Sequence, residues 1–322
     1  MNNSQTLKVP EALAQVTLER DGHRCRHSGD TENIAVYYID PSKITARDEL
    51  SNLITLSERM YQAAQVAVND QSSVETRCGI ILAGGRGTRL APLTCFANKH
   101  ELPVGGVPMI FRPLFTLRSM GIRDVLVTLD RENAPDRFFA MLGDGSEFGM
   151  SITYRVQQGA GGIAAALALA KQFVNGRESY VILGDNIFDE NEFADWKHPN
   201  WWEELRRGDG ACVFVKQVPN PRDYGIVEQH EGAFQVNRII EKPENPPTNL
   251  AVVGLYIYPP SVFNIVHTLK PSGRNELEIT DVNNYFGSKG SLTSREVKGF
   301  WGDAGGGIDL FFRVNEHMIR SR

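Results

Sequence analysis

No apolar run in this sequence approaches the ~20 residues that a membrane-crossing helix needs. No basic segment followed by an apolar stretch opens it, so neither a secretory leader nor a membrane partner is expected. Cysteine is scarce. Cys25, Cys78, Cys95 and Cys212 stand far apart with no C-x-x-C pair, which argues against a zinc site or a disulfide framework and for a reducing cytoplasm. Positive charge is not in excess: 34 Lys and Arg face 39 Asp and Glu, a net charge of −5. A general nucleic-acid binder would show a basic face, so nucleic acid is not an expected partner. There is no internal repeat, no low-complexity tract and no G-x-x-x-x-G-K-[ST] loop. What remains is a 322-residue chain, 41% hydrophobic and 23% charged, with the composition of a globular protein. It is long enough for one large domain with an appendage, or for two domains.

What is present starts at a glycine-rich turn. Gly79 to Thr94 reads GIILAGGRGTRLAPLT. Ile80-Ile81-Leu82-Ala83 is a short apolar run, read as a buried strand. It ends in Gly84-Gly85-Arg86-Gly87, where glycine permits positive φ and close backbone approach. Backbone N–H groups in such a turn can point at an anion, and Arg89 and Lys99 add fixed positive charge. The combination suits a polyphosphate. A tight strand-to-helix turn with surface cations is the plain alternative. A dinucleotide fingerprint is not met, because Leu90 stands where the third glycine belongs when the pattern is read from Gly85.

Two regions differ in character. Residues 1–77 are polar and poor in glycine, with a strand signal at Ile34–Tyr38. Leu50, Leu53, Ile54, Leu56 and Met60 recur at roughly helical spacing, so a helix is expected from about Ser42 to Val68. Residues 78–322 alternate strand and helix. Ile80–Ala83, Val125–Thr128, Ile152–Val156 and Tyr180–Leu183 read as strands; Met109–Met120, Pro135–Leu142 and Gly162–Phe173 read as helices. The alternation predicts an α/β fold, a Rossmann-like, mainly parallel sheet with helices on both faces. Cys212–Val215, Gly225–Glu228, Phe234–Glu241 and Ala251–Tyr258 follow as strands of a mixed or antiparallel extension that would carry a substrate pocket, and Ile308–Ile319 reads as a last helix.

Charged landmarks sit at strand ends. Asp185, in Gly184-Asp185-Asn186, follows the strand Tyr180–Leu183, where open α/β sheets place their ligands. A carboxylate facing a phosphate loop calls for a bridging divalent cation, unless Asp185 is only a turn residue. Ile240-Glu241-Lys242-Pro243 places a Glu–Lys pair at a strand exit, which by itself could be merely solvated. Trp301-Gly302-Asp303-Ala304-Gly305 is a short strand ending in an aspartate within a glycine-rich turn. Spacing alone does not bring Asp185 and Asp303 together.

These segments in order, GGRGTRLAPLT, NKHELPV (Asn98–Val104), LGDGSEFG, YRVQQGAGGIA, LGDNIF, YGIVE, EKP, VVGLYIY, ELEITD and WGDAG, resemble the sugar-1-phosphate nucleotidyltransferases, most of all the glucose-1-phosphate thymidylyltransferase group. The resemblance runs from about Cys78 past Asp303; residues 1–77 match nothing in it. It implies a nucleoside triphosphate along Gly84, Gly85, Gly87 and Thr88, with Arg89 and Lys99 on its phosphates. Gln157 and Gly162 match positions that meet the base, and Asp185 and Asp303 match a pair of Mg²⁺ ligands. Lys242 and Arg274 match cations that hold the sugar phosphate, and Asn186, Gly225, Glu241 and Val253 match positions lining the sugar. The implied reaction is Mg²⁺-dependent transfer of a nucleotidyl group, with dTTP and glucose-1-phosphate the first choice of substrates. Arg89, Lys99 and Lys242 are its expected catalytic cations. A uridylyl- or cytidylyltransferase acting on another phosphorylated substrate, and a non-catalytic nucleotide-sugar sensor, are the alternatives. Retention of the whole charged set speaks against the sensor. The resemblance also implies a homo-oligomer. The short stretch after Asp303 leaves no room for a hexapeptide-repeat helix and puts the family's product-feedback site in doubt. His100 is read as a loop residue.

Overall fold

The protein is described by a computed structural model for residues 34–38, 53–57, 76–85, 87–131, 135–157, 159, 161–189, 192–193, 209–229, 234–273 and 275–321. β1 (Ile34–Tyr38) and β2 (Leu53–Ser57) pair antiparallel, with Ile34 opposite Ser57 and Tyr38 opposite Leu53. Leu53–Ser57 is therefore a strand and not part of the helix expected over 42–68. Five residues with apolar side chains at three of them satisfy a period of two about as well as 3.6. Ile54 and Thr55 are β-branched, and the partner Ile-Ala-Val-Tyr-Tyr is built of strand formers. The rest of that expected helix lies outside the described residues.

The remaining elements are, in chain order, β3 (Arg77–Ala83), β4 (Pro103–Val104), β5 (Val107–Pro108), α1 (Phe111–Ser119), β6 (Asp124–Asp130), α2 (Pro135–Leu142), β7 (Ser151–Gln157), α3 (Ile163–Ala168), α4 (Lys171–Val174), β8 (Glu178–Leu183), β9 (Asn186–Phe188), β10 (Ala211–Gln217), β11 (Gly225–Glu228), β12 (Arg238–Glu241), β13 (Leu250–Tyr258), α5 (Val262–Val266), α6 (Ile279–Ser288), β14 (Leu292–Glu296), β15 (Trp301–Asp303) and α7 (Ile308–Arg320). Nine strands form the central sheet, in the order β12-β11-β13-β8-β3-β6-β7, with β10 on β13 and β14 on β10. β8, β3, β6 and β7 are parallel. β13 turns antiparallel against β8, and β11 and β12 continue antiparallel from it. The parallel core and the mixed extension follow the pattern read from the sequence.

β3 is buried along its whole length, as a central parallel strand must be. Ile81, Val127 and Ile182 point to one face, against Leu114 and Leu117 of α1. Ile80, Leu126 and Val181 point to the other, against Leu167 of α3, Val262 of α5 and Val282 of α6. After β3 the chain moves to β6 and β7 on one side and returns to β8 on the other. The crevice beyond the carboxyl ends of β3 and β8 is thus the switch point of the sheet, where ligands bind in open α/β folds.

Two elements differ from expectation, and several short ones are new, with β14 and α6 the largest among them. The alanine-rich stretch is broken into α3 and α4, because Leu169 and Ala170 bond to carbonyls three residues back and tighten the turn. Only Arg238–Glu241 of the expected strand 234–241 is regular; Gln235 makes a single bridge to Thr293. β14 joins the sheet through β10, and α6 covers one face of it. β14 has only a weak alternation, whereas α6 carries Ile279, Val282 and Phe286 at helical spacing, a signal the sequence reading did not use.

Candidate active site

The glycine turn leaves the end of β3 with φ of 99° at Gly85 and 64° at Gly87, both in the region that favours glycine. A side chain at Gly87 would also collide with Lys99, whose Cβ would lie 2.9 Å from an added Cβ. Thr88–Leu90 then forms a 3₁₀ turn that buries Leu90 and leaves Thr88 and Arg89 exposed. Lys99 starts a second 3₁₀ turn, Lys99–Glu101, capped by Asn98 in a reciprocal capping box with Glu101. Its ammonium therefore stands against the glycine turn, 3.9 Å from where a Cβ of Gly85 would be.

Asp185 follows β8, and Asp303 ends β15. The two meet because β15 pairs antiparallel with β9 in a register that puts Asp303 opposite Asn186. Ala304 N–H donates to the Asp185 carbonyl at 2.9 Å and closes the corner. Lys99 Nζ reaches Asp185 Oδ2 at 2.5 Å. Burial disfavours charge on Asp185, yet the Lys99 ammonium and the hydrogen bonds from Lys99 and Asn186 hold its carboxyl well below the usual range. Asp303 goes the other way. Burial and the neighbouring Asp185 charge push it up to about 6, against the pull of Lys99, the Gly305 N–H and Arg89. The pair thus holds more negative charge than one lysine balances. Gly305 makes room for it: an added Cβ would run into the Asp185 carboxylate, and its N–H donates to Asp303 Oδ1 at 3.0 Å.

Hard oxygen donors with unrelieved mutual repulsion fit a divalent cation such as Mg²⁺. Among the described residues no group of three or more His, Cys, Asp or Glu could hold a metal. Mg²⁺ is usually held by one or two carboxylates, waters and substrate phosphates.

Gln157, at the end of β7, turns its amide toward the glycine turn: its Oε1 lies 3.6 Å from where a Cβ of Gly84 would be. Gly162, at φ 88°, presses on the 276–277 segment, where a Cβ would lie 2.6 Å from the Leu277 carbonyl. Leu277 N–H donates to the Gly161 carbonyl and the Leu277 carbonyl accepts from Ala164 N–H, so the ELEITD segment packs on the loop that follows β7. Gly225 and Glu241 face each other across β11 and β12. Glu241 Oε2 accepts from Thr280 Oγ1 at 3.0 Å and lies 3.3 Å from where a Cβ of Gly225 would be. Lys242 takes φ 45° and its N–H donates to the Tyr224 carbonyl at 3.0 Å. Tyr224 in turn packs its ring on Trp301, two residues before Asp303.

Asn186 and Val253 sit differently from simple pocket walls. The Asn186 side chain is buried, donates to Asp185 Oδ1, and accepts from Gly254 N–H at 2.9 Å and Trp301 Nε1 at 2.7 Å. It ties β9, β13 and β15 together. Val253 is fully buried in the core, behind the surface that a ligand would touch. Arg274 lies outside the described residues.

Sequence reasoning read His100 as a loop residue and gave no role to two further groups. His100 is wholly buried beside Lys99 and contacts Gly184, where a Cβ would lie 2.7 Å from its ring. Burial and the Lys99 charge push it down to about 3, so it is neutral. Its Nδ1 meets Asn98 Oδ1 at 2.9 Å, which makes it part of the wall that holds Lys99. Trp301 and Gly305 are the others; their position inside WGDAG was the one available signal.

A glycine turn and fixed cations stand at the switch point of the sheet with a carboxylate pair facing them, an arrangement suited to phosphate chemistry. The chain belongs to the Nucleotidyl transferase family, which it matches over residues 78–320. A glucose-1-phosphate thymidylyltransferase of Neisseria meningitidis is 43% identical over 230 residues, 70% of this chain and 77% of the relative. A Bacillus anthracis protein assigned as a glucose-1-phosphate thymidylyltransferase and solved with sucrose is 41% identical, with a TM-score of 0.68 over 76% of this chain and 95% of that one. A UDP-glucose pyrophosphorylase complexed with UDP-glucose shares the fold at 21% identity, with a TM-score of 0.65 over 76% of this chain and 99% of that one. Among the described residues no helix is long and apolar enough to cross a membrane.

Proposed function

We propose that this nucleotidyltransferase transfers a nucleotidyl group from a nucleoside triphosphate, dTTP in the first place, to a sugar-1-phosphate, glucose-1-phosphate in the first place, releasing pyrophosphate. The observation that carries this reading is the meeting of Asp185 and Asp303 through the β9–β15 ladder, with Lys99 and the glycine turn beside them. The identity of the substrates rests on the relatives' names, 43% and 41% identical to this chain.

In this reading the backbone N–H groups of Gly84–Thr88, with Arg89 and Lys99, cradle the triphosphate. Gln157 and Gly162 bound the base. Lys242 and Arg274 hold the sugar phosphate, and Glu241, Gly225 and Asn186 line the sugar, with Val253 behind them. The phosphate oxygen of the sugar-1-phosphate attacks the α-phosphorus in line with the leaving pyrophosphate. It is already anionic, so no protein nucleophile or general base is needed. The residues align two anions and offset the charge that grows on the leaving group. Asp185 and Asp303 would hold a Mg²⁺ that neutralises phosphate charge. The catalytic unit in this proposal is 78–322, with 1–77 an added segment, in a cytoplasmic homo-oligomer.

The experiment is a pyrophosphate-release screen of all nucleoside triphosphates against a panel of sugar-1-phosphates, run on the wild type, Lys99→Ala and Lys242→Ala. Lys99→Ala should chiefly damage use of the triphosphate, and Lys242→Ala should chiefly raise KM for the sugar phosphate. No release with any pair would refute the function, and the reverse pattern of the two lysines would refute the placement of the substrates. A pocket separates dTTP from UTP by one methyl, worth only ~1–3 kcal/mol, so preference within the screen is expected to be graded.

A further inference from the structure

Asp303 must sit beside Asp185, yet the strand that carries it is three residues long, as is its partner β9. Such a pair has little stability of its own. What holds β15 is the segment just before it, Val297–Phe300, in which every backbone N–H and C=O has a partner. Lys216, near the end of β10, donates its ammonium to three successive carbonyls, of Val297 at 2.9 Å, Lys298 at 3.0 Å and Gly299 at 2.8 Å. Glu192 accepts from the N–H of Lys298 at 2.8 Å and of Gly299 at 2.6 Å. Asp189 Oδ2 accepts from Phe300 N–H at 2.9 Å.

Gly299 lets the two carboxylates in, since an added Cβ would lie 2.5 Å from Glu192 Oε2 and 3.0 Å from Asp189 Oδ2. Asp189 Oδ1 also meets His317 Nε2 of α7 at 2.7 Å. The His317 ring stacks on Phe300 with centroids 3.7 Å apart.

We propose that Lys216, with Glu192 and Asp189, forms a clamp of positioning residues that sets β15 against β9 and so fixes the spacing of Asp303 from Asp185. Three carbonyl dipoles aimed at one point repel one another unless a cation sits there. Removing the ammonium therefore opens the segment that leads into β15, and with it Trp301, which is bonded to Asn186. The proposal rests on the reading of Asp303 as a metal-holding carboxylate.

The test is Lys216→Met, which keeps the stem and removes the charge, in the full chain. Mn²⁺ binding followed by EPR and the Mg²⁺ dependence of pyrophosphate release are both measured. Outer-shell supports of a metal site typically tune affinity by about 10–100-fold, so the Mn²⁺ Kd and the Mg²⁺ half-saturation should each rise on the order of 10-fold. KM for the sugar phosphate should barely move, and Lys216→Arg, which can still donate to carbonyls, should restore most of the loss. Val266→Ala, in the core on the other face of the sheet, controls for stability: it should lower Tm without moving metal affinity.

If Lys216→Met does not fold, Glu192→Gln should show the same shift in milder form. A Tm loss with unchanged metal dependence, in whichever variant folds, overturns the clamp. A wild type that neither binds Mn²⁺ nor releases pyrophosphate overturns the functional reading and the clamp with it. A wild type that does both, with Lys216→Met equal to it, overturns the clamp alone.

Discussion

At the scale of single residues, the site depends on two carboxylates that differ in their surroundings. Asp185 is held ionised by Lys99, while burial and the Asp185 charge push Asp303 up to about 6. Asp185→Asn and Asp303→Asn should each cut kcat by on the order of 10²-fold, since each removes charge from the place where a cation would be held. Steady-state pyrophosphate release measures this, and full turnover of both variants in EDTA would dismiss the metal. Gly305 offers a sharper test. Gly305→Ala would drive a methyl into the Asp185 carboxylate and disturb the N–H that holds Asp303. A loss of kcat comparable to that of the Asp variants is expected, with a near-normal circular dichroism spectrum; wild-type kcat would mean that the carboxylates need not be this close. As candidates these residues were legible, because Asp185, Asp303, Lys99 and Lys242 all stand in recognisable motifs. The way Asn186 joins β9 to β13 and β15 was not, since a buried side chain whose partners are distant in sequence leaves no local pattern.

At the scale of elements, α7 is the buttress. Phe311, Val314 and Met318 pack on Leu90 of the glycine turn, Val104, Met109, Ile187 of β9 and Ala304 beside Asp303. Asn315 adds two hydrogen bonds to the β4 corner, accepting from Gly105 N–H and donating to the Pro103 carbonyl, both at 2.9 Å. Phe311→Ala should destabilise the protein by ~3–5 kcal/mol, the usual cost of truncating a buried Phe. The neighbouring Phe312 is 55% exposed, and Phe312→Ala should stay within about 0.5 kcal/mol. Urea denaturation compares the two, and equal effects would mean that α7 does not dock by the Phe311 face. The helix was expected over Ile308–Ile319, and WGDAG was read as a short strand ending in an aspartate. Its partners were not visible, because a helix's period states which face is buried and not what lies against it.

At the scale of the whole molecule, the Nucleotidyl transferase match starts at residue 78, and the described part of what precedes it is the β1–β2 pair and residues 76–77. None of the candidate site residues lies before Gly84. Deleting residues 1–70 should therefore leave pyrophosphate release in place while lowering Tm or changing the mass seen by size-exclusion with light scattering. A folded truncation of unchanged mass and stability that has lost turnover would mean that this segment reaches the active site. The helical stripe expected here fails at Leu53–Ser57 for a plain reason: over five residues a period cannot be told apart, and the strand formers at 34–38 that pair with it are remote in sequence.

The sequence by itself determined the alternation of the sheet strands β3, β6, β7 and β8 with helices, the glycine turn and the residue types of the candidate site. These follow from local rules: apolar runs of strand length, glycine where φ is positive, and charge at strand ends. Only the tertiary structure decided that Asp303 stands opposite Asn186, that β13 turns antiparallel against β8, and that Lys216 holds the segment leading into β15. Each of these is a contact between residues distant along the chain. Their energy comes from register, burial and hydrogen bonds made across elements, which no window of sequence contains.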